Sequence, residues 1–187
     1  MTVRLLFYIC ILLACSVAGT TLAQQGIQAP ASIDYKALGA PMPPFSVRIN
    51  DRLTINEQNV STFEHVIVVL FNPTCDHCIA LGKEVAHRHQ ELKNTAWIFI
   101  AAPGMDEYLT YFLEPSGLDK VRAKNIFVGT DQTPNAGLGN SFTVFLAKLF
   151  EYKLPQVNIY NHQRKMSFKS LGETSFDAVA KAIKQGS

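Results

Sequence analysis

Six consecutive apolar residues, Val66-Ile67-Val68-Val69-Leu70-Phe71, stop at Asn72-Pro73-Thr74 and are followed at once by Cys75-Asp76-His77-Cys78. The run is short and mostly β-branched, which suits a strand buried on both faces. A strand covered on both sides needs a layer on each side, so this segment already points to an α/β layered domain. From Cys75 to residue 93 the spacing is helical. Cys78, Leu81, Val85 and Leu92 fall on one stripe, and Lys83, Glu84, Arg88 and Gln90 on the solvent side. The two cysteines therefore stand one turn apart where a buried strand gives way to a helix.

The rest of the chain repeats the alternation. Phe45, Val47 and Ile49 alternate with polar residues, and residues 53–55 form a short return strand. Residues 97–101 and 125–129 are further buried strands. Helical spacing covers residues 105–113, with Tyr108, Tyr111 and Phe112, and residues 136–150, with Phe142, Phe145, Leu146 and Leu149. Leu154-Pro155 precedes an alternating strand at 156–160, a turn at 161–164 and a strand at 166–171. Thr174 or Ser175 caps a last helix carrying Phe176, Val179, Ala180 and Ile183. The expected architecture is a central mixed sheet flanked by helices.

Residues 1–23 differ from all that follows. Arg4 is their only charge, residues 5–18 are nearly all apolar, and Thr21-Leu22-Ala23 offers a small-residue exit before Gln24. This is the layout of a secretory signal, and the apolar stretch is shorter than the ~20 residues that span a bilayer. Leu12-Leu13-Ala14-Cys15 also resembles a bacterial lipobox, in which Cys15 would carry a lipid anchor, although Leu13 is bulky for its place. The expectation is a signal peptide at 1–23, a polar linker at 24–35 and one domain at 36–187. The protein would be exported to a bacterial periplasm or cell envelope, touching the membrane only if lipidated at Cys15.

Export changes the meaning of the cysteine count. Of four Cys, Cys10 and Cys15 lie in the leader, so the exported chain keeps Cys75 and Cys78 in a compartment where disulfides persist. The formal net charge of +2 drops to +1 without Arg4. No basic excess points to a nucleic-acid partner.

A cysteine at a helix start faces unpaired N–H groups and a partial positive charge, which stabilise a thiolate and make attack on a disulfide feasible near neutral pH. Cys75, at the edge, is the expected exposed nucleophile. Cys78, on the apolar stripe, is the expected buried resolving thiol, close enough for a disulfide. His77 adds positive charge that favours the Cys75 thiolate, and Asp76 opposes it. A CxxC can also be half of a zinc site, but His87 lies roughly 13 Å along the helix from Cys78 at ~1.5 Å per residue. His87, Arg88 and His89 read as a solvated helix face.

Val68-Val69-Leu70-Phe71-Asn72-Pro73-Thr74-Cys75-Asp76-His77-Cys78 resembles the active-site strand and helix of thioredoxin-fold proteins. Gly39-Ala40-Pro41-Met42-Pro43-Pro44-Phe45 resembles the lead-in of the TlpA/ResA-like, AhpC/TSA-related redoxins, and Leu154-Pro155 with its following hairpin resembles their cis-proline loop. The resemblance implies a thioredoxin-like fold with an N-terminal strand extension and a central βα insertion. It implies an exported thiol-disulfide oxidoreductase whose only redox group is the Cys75–Cys78 pair, with no added cofactor and no metal. Pro155 would be cis against the sulfurs, with Leu154, Pro73 and Thr74 meeting a protein thiol or disulfide substrate. An envelope electron donor or acceptor would complete the cycle.

The chain also departs from that family. No Trp precedes Cys75, Val69 stands near the place of a buried acid, Leu81 stands at another acidic place, and Glu84 one turn on reads as solvated. A non-catalytic scaffold, with the Tyr108, Tyr111 and Phe112 helix as a partner face, therefore stays open. A Sco-like copper carrier would use Cys75, Cys78 and His162, but His162 falls in a turn and the cysteines are one residue too close. A thiol peroxidase would need Pro and Thr before its cysteine, where Val68 and Asn72, or Phe71 and Cys75, stand instead.

Overall fold

The computed structural model describes residues 33–137 and 142–185. The expected signal peptide at 1–23 with its exit after Ala23, the alternative lipid site at Cys15 and residues 24–32 of the expected linker lie outside the described residues. Seven strands form one sheet: β1 (Val47–Asn50), β2 (Leu53–Ile55), β3 (His65–Leu70), β4 (Thr95–Ala101), β5 (Ile126–Asp131), β6 (Gln156–Tyr160) and β7 (Met166–Leu171). Their order across the sheet is β2-β1-β5-β4-β3-β6-β7. β3, β4 and β5 are parallel, and β1, β6 and β7 join antiparallel. Among the described residues four α-helices cover the faces: α1 (Asp76–Arg88), α2 (Thr110–Ser116), α3 (Val144–Leu149) and α4 (Phe176–Gln185).

The apolar run at 66–71 has the cause expected of it. Along β3, Ile67 and Val69 point into a core shared with α1, α2 and α4. Val66, Val68 and Leu70 point into a second core shared with α3 and the N-terminal hairpin. Alternation sends neighbouring residues to opposite faces, and with both faces packed every β3 residue is buried. The single tryptophan, Trp97 on β4, is buried between Phe99 and Phe176, stacked on both. β1 approaches β5 closely: a Cβ on Gly129 would lie 2.1 Å from the Arg48 carbonyl oxygen, so only glycine fits.

Two helices differ from expectation. At 105–113 the chain makes one 3-10 turn, Asp106–Tyr108, before α2 begins at Thr110. The Asp106 carboxylate is drawn to Arg48 and the Thr130 hydroxyl, which holds that turn apart from α2. Phe112 enters the core, while Tyr108 and Tyr111 stay exposed with rings 6.2 Å apart. The helix expected over 136–150 is confined to Val144–Leu149. Upstream of it, Asp131 accepts from the Thr133 backbone and hydroxyl and from the Thr143 hydroxyl. Thr133 and Thr143 then accept from the N–H groups of Phe145 and Leu146, so the helix start is fixed at 144. Among the described residues no helix is long and apolar enough to cross a membrane.

Candidate functional site

The site lies at the C-terminal end of β3, where Phe71 ends the buried run and Asn72-Pro73-Thr74 turns the chain into α1. Asn72 shapes this turn: its side-chain oxygen accepts from the Thr74 N–H and hydroxyl, and its carbonyl accepts from the Cys75 N–H at 3.0 Å. Pro73 is buried and Thr74 exposed. Cys75 is the N-cap of α1, in extended conformation, and its sulfur accepts a 3.4 Å hydrogen bond from the Cys78 N–H. A sulfur in that place receives one of the helix's unpaired donors and the positive end of its dipole.

The two thiols differ in environment. Cys75 is half-buried and Cys78 fully buried, one turn into α1. Cys78 belongs to the apolar core containing Val69, Phe71, Leu81 and Phe112. Burial there pushes its thiol well above the usual thiol range, and the neighbouring Cys75 sulfur adds to the rise. Asp76 and His77 follow Cys75 on the exposed side of the first turn, and the His77 ring makes no hydrogen bond to either sulfur.

The loop before β6 faces the same end of the sheet. The Leu154–Pro155 peptide bond is cis. Pro155 is buried, and its carbonyl accepts from the Gly172 N–H at 2.9 Å. Leu154 packs against both cores and lines an apolar cavity of about 120 Å³ together with Leu70, Phe71, Phe142, Leu146 and Phe150. Gln156 is a positioning residue that the sequence did not single out. Its buried amide donates to the Leu149 carbonyl and accepts from the Glu151 N–H, which ties the loop shut at its base. Its place directly after Leu154-Pro155 was the available signal.

Other residues lie elsewhere. His162 is exposed in the turn after β6, at the opposite end of the sheet from Cys75, because β6 runs antiparallel to β3 with Tyr160 beside Val66. It cannot join the cysteines around one copper ion. Among the described residues no three His, Cys, Asp or Glu side chains gather as a metal site. Glu84 is not solvated: its carboxylate accepts from the Phe176 N–H at the start of α4. Nor is 87–89 a simple solvated face. Arg88 pairs with Glu91 and Asp177 and lies over the Phe176 ring, and His89 Nδ1 lies 3.2 Å from the Val85 carbonyl oxygen.

No protein-family model and no curated protein matches the chain by sequence. Solved structures do match it. The thioredoxin domain of a thiol-disulfide oxidoreductase from Bacteroides vulgatus aligns over 80% of this chain and 96% of its own, with a TM-score of 0.62 at 11% identity. A protein assigned as the thiol:disulfide interchange protein DsbE from Chlorobium tepidum aligns over 81% and 98%, with a TM-score of 0.59 at 13% identity. An assigned electron transfer protein from Aquifex aeolicus aligns over 81% and 99%, with a TM-score of 0.58 at 14% identity. Identities this low speak for the fold: the chain is an α/β domain of the thioredoxin-like fold, with a seven-stranded mixed sheet flanked by helices.

Proposed function

We propose that this protein is an exported thiol-disulfide oxidoreductase that exchanges disulfides with proteins of the cell envelope through Cys75 and Cys78. The observation that carries the reading is the asymmetry of the pair: one sulfur half-exposed at a helix N-cap, the other buried a turn behind it. The Cys75 thiolate attacks one sulfur of a substrate disulfide, forming a mixed disulfide and releasing one substrate thiolate. The Cys78 thiolate then attacks the Cys75 sulfur, which releases the second substrate thiolate and leaves a Cys75–Cys78 disulfide. Two electrons pass to the substrate, and an envelope dithiol returns them to the pair. Run backwards, the same steps oxidise a substrate dithiol.

Pro155, as a proline, offers no backbone N–H on the site face, and Leu154 presents main-chain groups to an extended substrate segment. Export is supported by the charged, apolar and small-residue order of residues 1–23. Insulin reduction with dithiothreitol as electron source tests the activity. Wild type should accelerate it and Cys75→Ser should not; acceleration retained in Cys75→Ser would overturn the mechanism.

A further inference from the structure

Resolution of the mixed disulfide requires Cys78 to lose its proton, to a side-chain base within reach or, more slowly, to hydroxide. All fifteen Asp and Glu residues and all five His lie among the described residues, so every candidate base can be placed. On α1, Asp76 and His77 are exposed, and Glu84 stands six residues beyond Cys78, roughly 9 Å along the helix at ~1.5 Å per residue, with its Oε2 turned to the Phe176 N–H. On α2, Glu114 is exposed, and so is Lys153 in the loop before β6. The buried Asp131 lies across the sheet in the network that caps α3. The one ionisable side chain acting on the Cys78 thiol is Cys75, whose sulfur is uncharged once it holds a substrate. Apolar burial also raises the Cys78 thiol, so the missing base is not offset by ready ionisation.

Resting on the exchange chemistry proposed above, we propose that the mixed disulfide on Cys75 outlives attack by Cys78 and is released by a second thiolate of the bound substrate, which makes the site a disulfide-shuffling centre for substrates with three or more cysteines. The chemistry balances without an added oxidant or reductant. The Cys75 thiolate attacks a substrate disulfide and frees one substrate thiolate. A different substrate thiolate attacks the substrate sulfur bonded to Cys75. A new substrate disulfide forms, the Cys75 thiolate leaves, and no net electrons move.

The two steps separate in a rapid acid-quench experiment on the reduced full chain. The probe is a peptide holding one interchain disulfide and no free thiol. Mass spectrometry then follows release of the first and second peptide thiols. The first release should depend on Cys75. The second should be slower by roughly tenfold or more at pH 7, and should rise about tenfold per pH unit up to pH 9, as expected of a thiol ionised by hydroxide alone. A second release that keeps pace with the first, or levels off below pH 8, overturns the inference and leaves the exchange reading standing. A first release that survives in Cys75→Ser overturns both. Val69→Asp puts a carboxylate into the apolar cluster that holds Cys78. In that variant the second release should accelerate about tenfold at pH 7 and level off near neutrality; a folded variant with an unchanged profile overturns the inference. Should the variant not fold, the wild-type pH profile decides alone.

Discussion

The Glu84 carboxylate accepts a hydrogen bond from the backbone N–H of Phe176 at 2.5 Å, across 92 residues of sequence. It satisfies an unpaired donor at the start of α4 and places a negative charge at that helix's positive end. The helix carrying the cysteines is thereby tied to the last helix of the chain. Glu84→Ala should cost about 1 kcal/mol, the usual effect of losing an N-terminal cap. Urea unfolding measures it, and the rate at which Cys75 forms a mixed disulfide should stay as in wild type.

Gly82 lies on the face of α1 turned to α2. A Cβ there would sit 2.8 Å from the Ser116 Cβ and 2.9 Å from the Phe112 ring. Helix propensity alone favours alanine by about 1 kcal/mol. Overpacking a tight contact costs about 1–3 kcal/mol, so the steric effect wins. Gly82→Ala should lower the thermal midpoint, and a raised midpoint would contradict the close packing of α1 on α2.

Arg164 closes the turn between β6 and β7 in a left-handed conformation, φ 58°, where a glycine is more usual. Its guanidinium donates to the carbonyls of Val60, Ser61 and Phe63, at 3.0, 3.0 and 2.8 Å. Hydrogen bonds from a charged donor are worth about 1.5–3 kcal/mol each, less where solvent competes. Arg164→Met should cost roughly 2–3 kcal/mol in urea unfolding. Arg164→Lys should recover only part of that: all three carbonyls meet the single nitrogen Nη2, while Nη1 donates to the Asn161 carbonyl at 3.3 Å, and a lysine has no second nitrogen for it.

Asp131 gives a pH dependence of defined sign. Its burial raises the carboxyl above the ordinary 3.8, against the hydrogen bonds from Thr143 and Thr133. The folded state therefore holds this proton more tightly than the unfolded one. Its contribution is most favourable at low pH and is lost as pH rises from about 3.8 through the folded value. Asp106 and Glu91 shift downward, so their contributions are lost as pH falls, on the acid side of the ordinary carboxylate range. The stability of wild type relative to Asp131→Asn should decline as pH rises through the window above 3.8, and a rise there would contradict the assignment.

The sheet's core strands were legible because burial on both faces leaves continuous apolar runs at 66–71 and 97–101. The site cysteines were legible because a strand, a break and a helix stripe adjoin at Cys75. Glu84 was not, since its partner Phe176 is fixed only by tertiary packing. Arg164 looked like an ordinary turn residue for the same reason: its acceptors are carbonyls about a hundred residues earlier. The helix at 136–150 was overdrawn because Phe142 and Ala136 continue the apolar spacing. The hydroxyls of Thr133 and Thr143, gathered by Asp131, decide where the helix starts.

The central claim is that the Cys75 sulfur attacks the substrate disulfide. Reaction of the Cys78→Ala variant with a cystine peptide, followed by peptide mass mapping, tests it most directly. One peptide should be found joined to Cys75, at a rate comparable to the first thiol release of wild type. No adduct at Cys75, together with a peptide adduct at Cys78 in the converse Cys75→Ala variant, would contradict it.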